Sequence, residues 1–94
     1  MTVALVVLNW NGKELLKSFL PEMLRYSKEA TIYVIDNDST DDSIDFLSTE
    51  FPEVNLIINT ENLGYSGGYN AGLKGIKEEL ICLINNDIRV TKNW

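Results

Sequence analysis

Short clusters of Asn and Asp stand directly behind each of the apolar runs in this chain. Asn9-Trp10-Asn11 follows residues 3–8, Asp36-Asn37-Asp38 follows 31–35, Asn59-Thr60-Glu61-Asn62 follows 54–58, and Asn85-Asn86-Asp87 follows 80–84. Amides and carboxylates of this kind can donate hydrogen bonds to a polar ligand and accept them from it. Asp87, behind two amides, can present one hard oxygen to Mg²⁺ or Mn²⁺ while the phosphates of a substrate supply others. Asn and Asp are also ordinary turn formers, so one such cluster alone carries little. Four clusters at equivalent places carry more.

Residues 62–68, Asn-Leu-Gly-Tyr-Ser-Gly-Gly, are glycine-rich and open a helical stretch, which lets backbone approach a ligand and sets a helix N-terminus near negative charge. No Gly-Lys-Ser/Thr follows, so this is not a Walker loop, and the dinucleotide fingerprint would stand after the first run instead. The chain has no histidine, which excludes a His-based triad or zinc site within these residues. No catalytic residue is assigned on these motifs.

These clusters need elements that bring them together. Each apolar run has strand length, and the first and last do not alternate with polar residues, as expected of strands buried on both faces of a parallel sheet. Leu15, Leu16, Phe19, Leu20, Met23 and Leu24 recur at helical spacing, with Pro21 kinking one helix or starting a second. Ser39 or Thr40 can cap a next helix with Asp41 and Asp42 in its first turn, an apolar face of Ile44, Leu47 and Phe51, and Pro52 closing it. Residues 66–77 must be helical to complete the third crossover despite four glycines, of which Gly72 and Gly75 are the candidates for close packing on the sheet. The order β-α-β-α-β-α-β predicts an α/β, doubly wound, mainly parallel sheet of about four strands with helices on both faces. Ligands of such sheets bind beyond the carboxyl ends of the strands, where all four clusters stand.

At 94 residues the chain is a single domain, 1–94. Its net charge of −6 opposes nucleic acid and anionic membrane surfaces, and would repel a diphosphate unless a cation or backbone N–H groups supply positive charge locally. The lone Cys82 lies in an apolar run and reads as a small buried hydrophobe, so there is no disulfide framework. The six-residue opening run is too short for a signal peptide or a membrane segment, and a cytoplasmic location is the expectation.

Together the motifs resemble the amino-terminal, nucleotide-sugar-binding half of family 2 glycosyltransferases of GT-A fold, and the amide at Asn85 resembles the rhamnosyltransferase-like branch with its rhamnosyl- and galactofuranosyl-type members. Residues 6–12, Val-Val-Leu-Asn-Trp-Asn-Gly, resemble the family's first strand and helix start. Residues 34–41, Val-Ile-Asp-Asn-Asp-Ser-Thr-Asp, resemble its second-strand signature, usually Val-Asp-Asp/Asn-Gly-Ser-Thr-Asp. Residues 62–72 resemble its Asn-x-Gly…Gly-Gly-x-Asn-x-Gly segment, and 83–87, Leu-Ile-Asn-Asn-Asp, its version of the Asp-x-Asp motif. Asp38 stands where the family commonly has glycine, and Asn85 where the first acidic residue often stands.

The resemblance implies transfer of a sugar from a nucleoside-diphosphate sugar, UDP- or dTDP-linked, to an acceptor glycan or lipid-linked saccharide. Leu8, Asn9 and Asn11 would border base and ribose, Asp36 would hydrogen-bond the base or ribose, and Asn37 would belong to the same nucleotide-binding set. Gly64, Gly67, Gly68, Asn70 and Asn86 would line the nucleotide, and Asp87 would bind the divalent metal, Mg or Mn. The acceptor site and base of the family come from sequence beyond the acidic motif, so the expectation is a truncated, inactive donor-binding fragment whose exposed surface could form a homodimer. Two rival readings are a non-catalytic nucleotide-binding or association module, and a haloacid-dehalogenase-like phosphohydrolase with Asp36 as nucleophile and Asp38 as acid/base.

Overall fold

The computed structural model describes residues 2–61 and 64–85. Seven elements follow in order: β1 (Val3–Asn9), α1 (Lys13–Tyr26), β2 (Thr31–Asn37), α2 (Ser43–Glu50), β3 (Asn55–Asn59), α3 (Gly64–Leu73) and β4 (Leu80–Asn85). The four strands form one sheet in the order β3-β2-β1-β4, and every neighbouring pair is parallel.

Alternation along the strands sends successive side chains to opposite faces. Leu5 and Val7 of β1, with Ile32, Val34 and Ile84, pack against Leu16, Phe19, Leu20 and Met23 of α1 and Leu47 of α2. Ala4, Val6 and Ile35 point the other way, to Tyr69 of α3 and to Ile76. Leu16, Leu20 and Met23 have no exposed surface, and each such burial contributes about 1.5–3 kcal/mol before conformational entropy is subtracted. A charge at Leu20 would therefore undo α1.

The chain steps one way from β1 to β3, then crosses back past β1 to β4. Crossovers of constant right hand must then place α1 and α2 on one face and α3 on the other, as the two cores show. The doubly wound architecture is as expected, with local differences. α1 is one helix that contains Pro21, whose exposed side leaves the carbonyl it cannot serve open to water. α2 starts at Ser43, later than expected, because Ser39 and Thr40 bond to the neighbouring loop. Asp41 accepts the Ser43 N–H at 2.9 Å instead. α3 ends at Leu73, short of the expected residue 77, so Gly75 lies beyond the helix.

β4 is an edge strand, so Leu80 (46% exposed) and Leu83 (51%) are open where burial on both faces was expected. Cys82 is half-buried beside the α1-face core. No helix among the described residues is long and apolar enough to cross a membrane.

Candidate functional site

Every strand ends on an asparagine: Asn9, Asn37, Asn59 and Asn85. Register pairs Asn9 with Asp36 and Asn37 with Asn59 across the carboxyl edge. Asn9, Asp36 and Asn37 are almost wholly buried, at 0%, 0% and 2% exposure. Polar groups removed from water must be paired, and no buried side-chain nitrogen or oxygen among the described residues lacks a partner.

The first network joins the loop after β1 to the loop after β2. Asp36 Oδ1 accepts from Asn9 Nδ2 at 3.0 Å and from Ser39 Oγ at 2.6 Å, and Asp36 Oδ2 accepts from Ser39 N at 2.9 Å. Asn9 Oδ1 accepts the Gly12 N–H at 3.1 Å, which fixes the start of α1. Asn11 Oδ1 accepts from Thr40 N at 2.6 Å and Asp41 N at 3.0 Å, while its own N–H donates to Ser39 Oγ at 2.9 Å. These bonds hold Asn11 at φ 52° and Asp38 at φ 63°, left-handed conformations that side chains other than glycine rarely take. The left-handed turn at Asp38 is a conformation that glycine would adopt without strain.

A second network joins β2 and β3 to α3. Asn37 Nδ2 donates to Gly64 O at 3.1 Å, and Asn59 Nδ2 donates to Asn37 Oδ1 at 3.3 Å and Gly68 O at 3.2 Å. Gly64 has φ 74° and opens the helix at this edge. A Cβ on Gly68 would lie 2.9 Å from both Asn37 Nδ2 and Leu8 Cδ1. On Gly72 it would lie 2.4–2.7 Å from three atoms of Ile35. The packing role expected at Gly72 is present, but at Gly75 a Cβ would meet nothing within 4 Å, since the helix has already ended. Gly68, assigned to ligand, carries a packing role as well.

Three carboxylates at this edge, Asp36, Asp41 and Asp42, accept hydrogen bonds from protein donors. Asp41 Oδ2 accepts from Lys13 N at 3.4 Å while its other oxygen accepts from Ser43 N at 2.9 Å, so one carboxylate meets the first residue of both helices. Lys13 Nζ lies 2.9 Å from Asp42 Oδ2, a hydrogen bond that raises the lysine pKa and lowers that of the aspartate. A depression of ≈ 330 Å³ opens here among Asn11, Gly12, Lys13, Glu14, Leu15, Asp41 and Asp42. A larger one, ≈ 510 Å³, lies at the other end of the sheet around Val3, Leu5 and residues 25–30.

The expected site residues Leu8, Asn9, Asn11, Asp36, Asn37, Gly64, Gly67, Gly68 and Asn70 all fall on β1, β2, α3 and their carboxyl-edge loops. Within this set Asn11 is half-buried, Gly64 and Asn70 are exposed, and Asn9, Asp36 and Asn37 form the floor. Asn86 and Asp87 lie outside the described residues. Among the described residues no three metal-ligating side chains cluster, and the carboxylates of Asp36, Asp41 and Asp42 accept hydrogen bonds from protein donors. The phosphohydrolase reading is not favoured: a nucleophilic Asp36 would need a free oxygen facing solvent, and both its oxygens are bonded at 0% exposure. Sequence reasoning missed Ser39 and Thr40 as site-builders, and it left Trp10, 54% exposed between two network residues, unassigned. The signal for the first two was the Ser-Thr-Asp run behind Asp36.

The fold recurs in solved glycosyltransferases. TarS from S. aureus (residues 1–349) superposes with TM-score 0.83 at 19% identity over 99% of this chain and 29% of TarS. The same protein in complex with UDP-GlcNAc gives 0.80 at 20% identity, over 99% and 28%. The mannosyltransferase PcManGT from Pyrobaculum calidifontis, in complex with GDP-Man and Mn²⁺, gives 0.82 at 19%, over 97% and 29%. The chain thus spans less than a third of the length of these structures. No curated protein sequence matches it at a significant level. The sequence profile described as glycosyl transferase family 2 matches residues 4–94, essentially the whole chain, and the chain belongs to that family.

Proposed function

We propose that residues 1–94 form the nucleoside-diphosphate-sugar-binding part of a glycosyltransferase that moves a sugar from an NDP-sugar donor to an acceptor hydroxyl. The observation that carries this reading is the carboxyl edge itself. Two hydrogen-bonded networks there, through Asp36-Ser39-Asn11 and Asn37-Asn59-Gly68, gather three loops into one polar floor at the place where open parallel sheets take ligands. Nucleotide sugars bound to structures of the same fold, UDP-GlcNAc and GDP-Man, support it.

In this reading Asn11, Gly64, Gly67, Asn70 and Asn86 face the nucleotide, and Leu8, Asn9, Asp36, Asn37 and Gly68 back them. The donor is UDP- or dTDP-linked, and the acceptor is a glycan or lipid-linked saccharide. The described carboxylates do not form a metal site, so a divalent Mg²⁺ or Mn²⁺ rests on Asp87 and on the family resemblance. Such a metal, when bound, would neutralise the diphosphate leaving group. The same reading places the protein in the cytoplasm. It allows homodimer contact through the uncharged β4 edge, where Leu80 and Leu83 are exposed.

Amide chemical-shift mapping with UDP tests the placement. Resonances of residues 8–12, 36–41 and 64–70 should move, while those of residues 25–30 at the opposite end stay. Movement confined to residues 25–30 would refute the proposed site.

A further inference from the structure

We propose that Ser39 is the positioning residue of the nucleotide site, the group that locks the β1–α1 loop into its ligand-ready conformation. This inference rests on the donor-binding reading above. A serine hydroxyl has one proton to give and two lone pairs, and here all three are engaged. Ser39 Oγ donates to Asp36 Oδ1 at 2.6 Å and accepts from Asn11 N at 2.9 Å and Asn9 Nδ2 at 3.3 Å.

The position of these partners gives the bond its importance. Asp36 is wholly buried at the end of β2, and its second oxygen already accepts the Ser39 N–H at 2.9 Å. Asp36 therefore fixes Ser39 from two sides, and Ser39 passes that fixed position to Asn11 on the neighbouring loop. Asn11 holds a left-handed backbone at φ 52°, a conformation asparagine adopts when local hydrogen bonds support it. The Asn11 side chain is tied to Thr40 and Asp41, but its N–H is tied to Ser39 Oγ. Loss of that hydroxyl frees the Asn11 N–H and loosens the backbone of residues 10–11, with the exposed Trp10, about a side chain that stays tied to Thr40 and Asp41. Ser39 itself stays behind the loop and acts on ligand only through it.

The test compares Ser39→Ala, Ser39→Cys and Ser39→Thr with the unaltered chain, after circular dichroism confirms that each folds. Cysteine keeps the branching with a somewhat larger atom that bonds weakly, and threonine keeps the hydroxyl. In unliganded protein, Ala and Cys should speed amide exchange at Asn11 about tenfold and shift the Trp10 indole resonance, while Thr preserves both. UDP affinity should fall about tenfold in Ala and Cys and be kept in Thr. Unchanged Asn11 exchange in both Ala and Cys would overturn the proposal, as would a Cys variant that binds UDP like wild type or a Thr variant that behaves like Ala. If the unaltered chain binds no UDP, the functional reading fails separately, while Asn11 exchange still decides whether Ser39 sets the loop.

Discussion

Replacing Gly72 by alanine sets two effects of known sign against each other. Gly72 is the penultimate residue of α3, where alanine gains at most about 1 kcal/mol of helix propensity. Against that, the added methyl would lie 2.4 Å from Ile35 Cδ1, 2.6 Å from Cγ1 and 2.7 Å from Cγ2. Ile35 is fully buried in β2 and β-branched, so no single χ1 rotation clears both γ carbons. Overpacking of this kind costs about 1–3 kcal/mol, so the packing term wins and Gly72→Ala destabilises by about 1–2 kcal/mol. For a domain of this size that lowers Tm by about 4–8 °C per kcal/mol. Urea and thermal unfolding read the change directly. Gly75→Ala, where a Cβ meets nothing within 4 Å, should be neutral or slightly stabilising. In an Ile35→Ala background the Gly72→Ala penalty should vanish. A Gly72→Ala protein as stable as wild type, or one equally penalised with Ile35 removed, would refute the reasoning.

Asp36→Asn keeps the shape of the side chain but turns an NH₂ toward one of the donors at Asn9 and Ser39, and should cost about 1–3 kcal/mol in chemical denaturation. Tyr33 donates to Glu78 Oε1 at 2.7 Å, and this bond, followed by burial, raises its pKa above the ordinary 10.0. The contribution is therefore complete below pH 10.0 and is lost as pH rises through the higher folded value. The stability of Tyr33→Phe should accordingly lose less than wild type across that alkaline range. At the acid end, the Lys13 hydrogen bond depresses the Asp42 pKa below 3.8, so that contribution is present above pH 3.8 and lost as pH falls through the folded value. Because the pair is exposed, Asp42→Asn should flatten the acid limb only slightly, and added salt should erase the difference.

The layout of the fold was legible because it depends on features that repeat along the chain. The apolar runs gave all four strands, the helical spacing from Leu16 to Met23 gave α1, and the strand-end Asn and Asp residues marked the carboxyl edge. Less legible was anything that depends on one loop meeting another. Ser39 and Thr40 have the chemistry of helix caps, and only the proximity of Asn9 and Asn11 turns them into a bridge between loops. Gly72 and Gly75 look alike in sequence, and only the end of α3 between them separates a packed glycine from a free one. Burial of β4 was overestimated because an edge strand has the same apolar composition as a central one.

The central claim, that this carboxyl edge binds a nucleoside diphosphate, is tested most directly by calorimetric titration of the folded chain with UDP and dTDP, with and without Mn²⁺. Saturable one-site binding to at least one of them, strengthened by Mn²⁺, is the predicted result. Absence of binding to both, with and without the metal, in a sample that unfolds cooperatively, would contradict it.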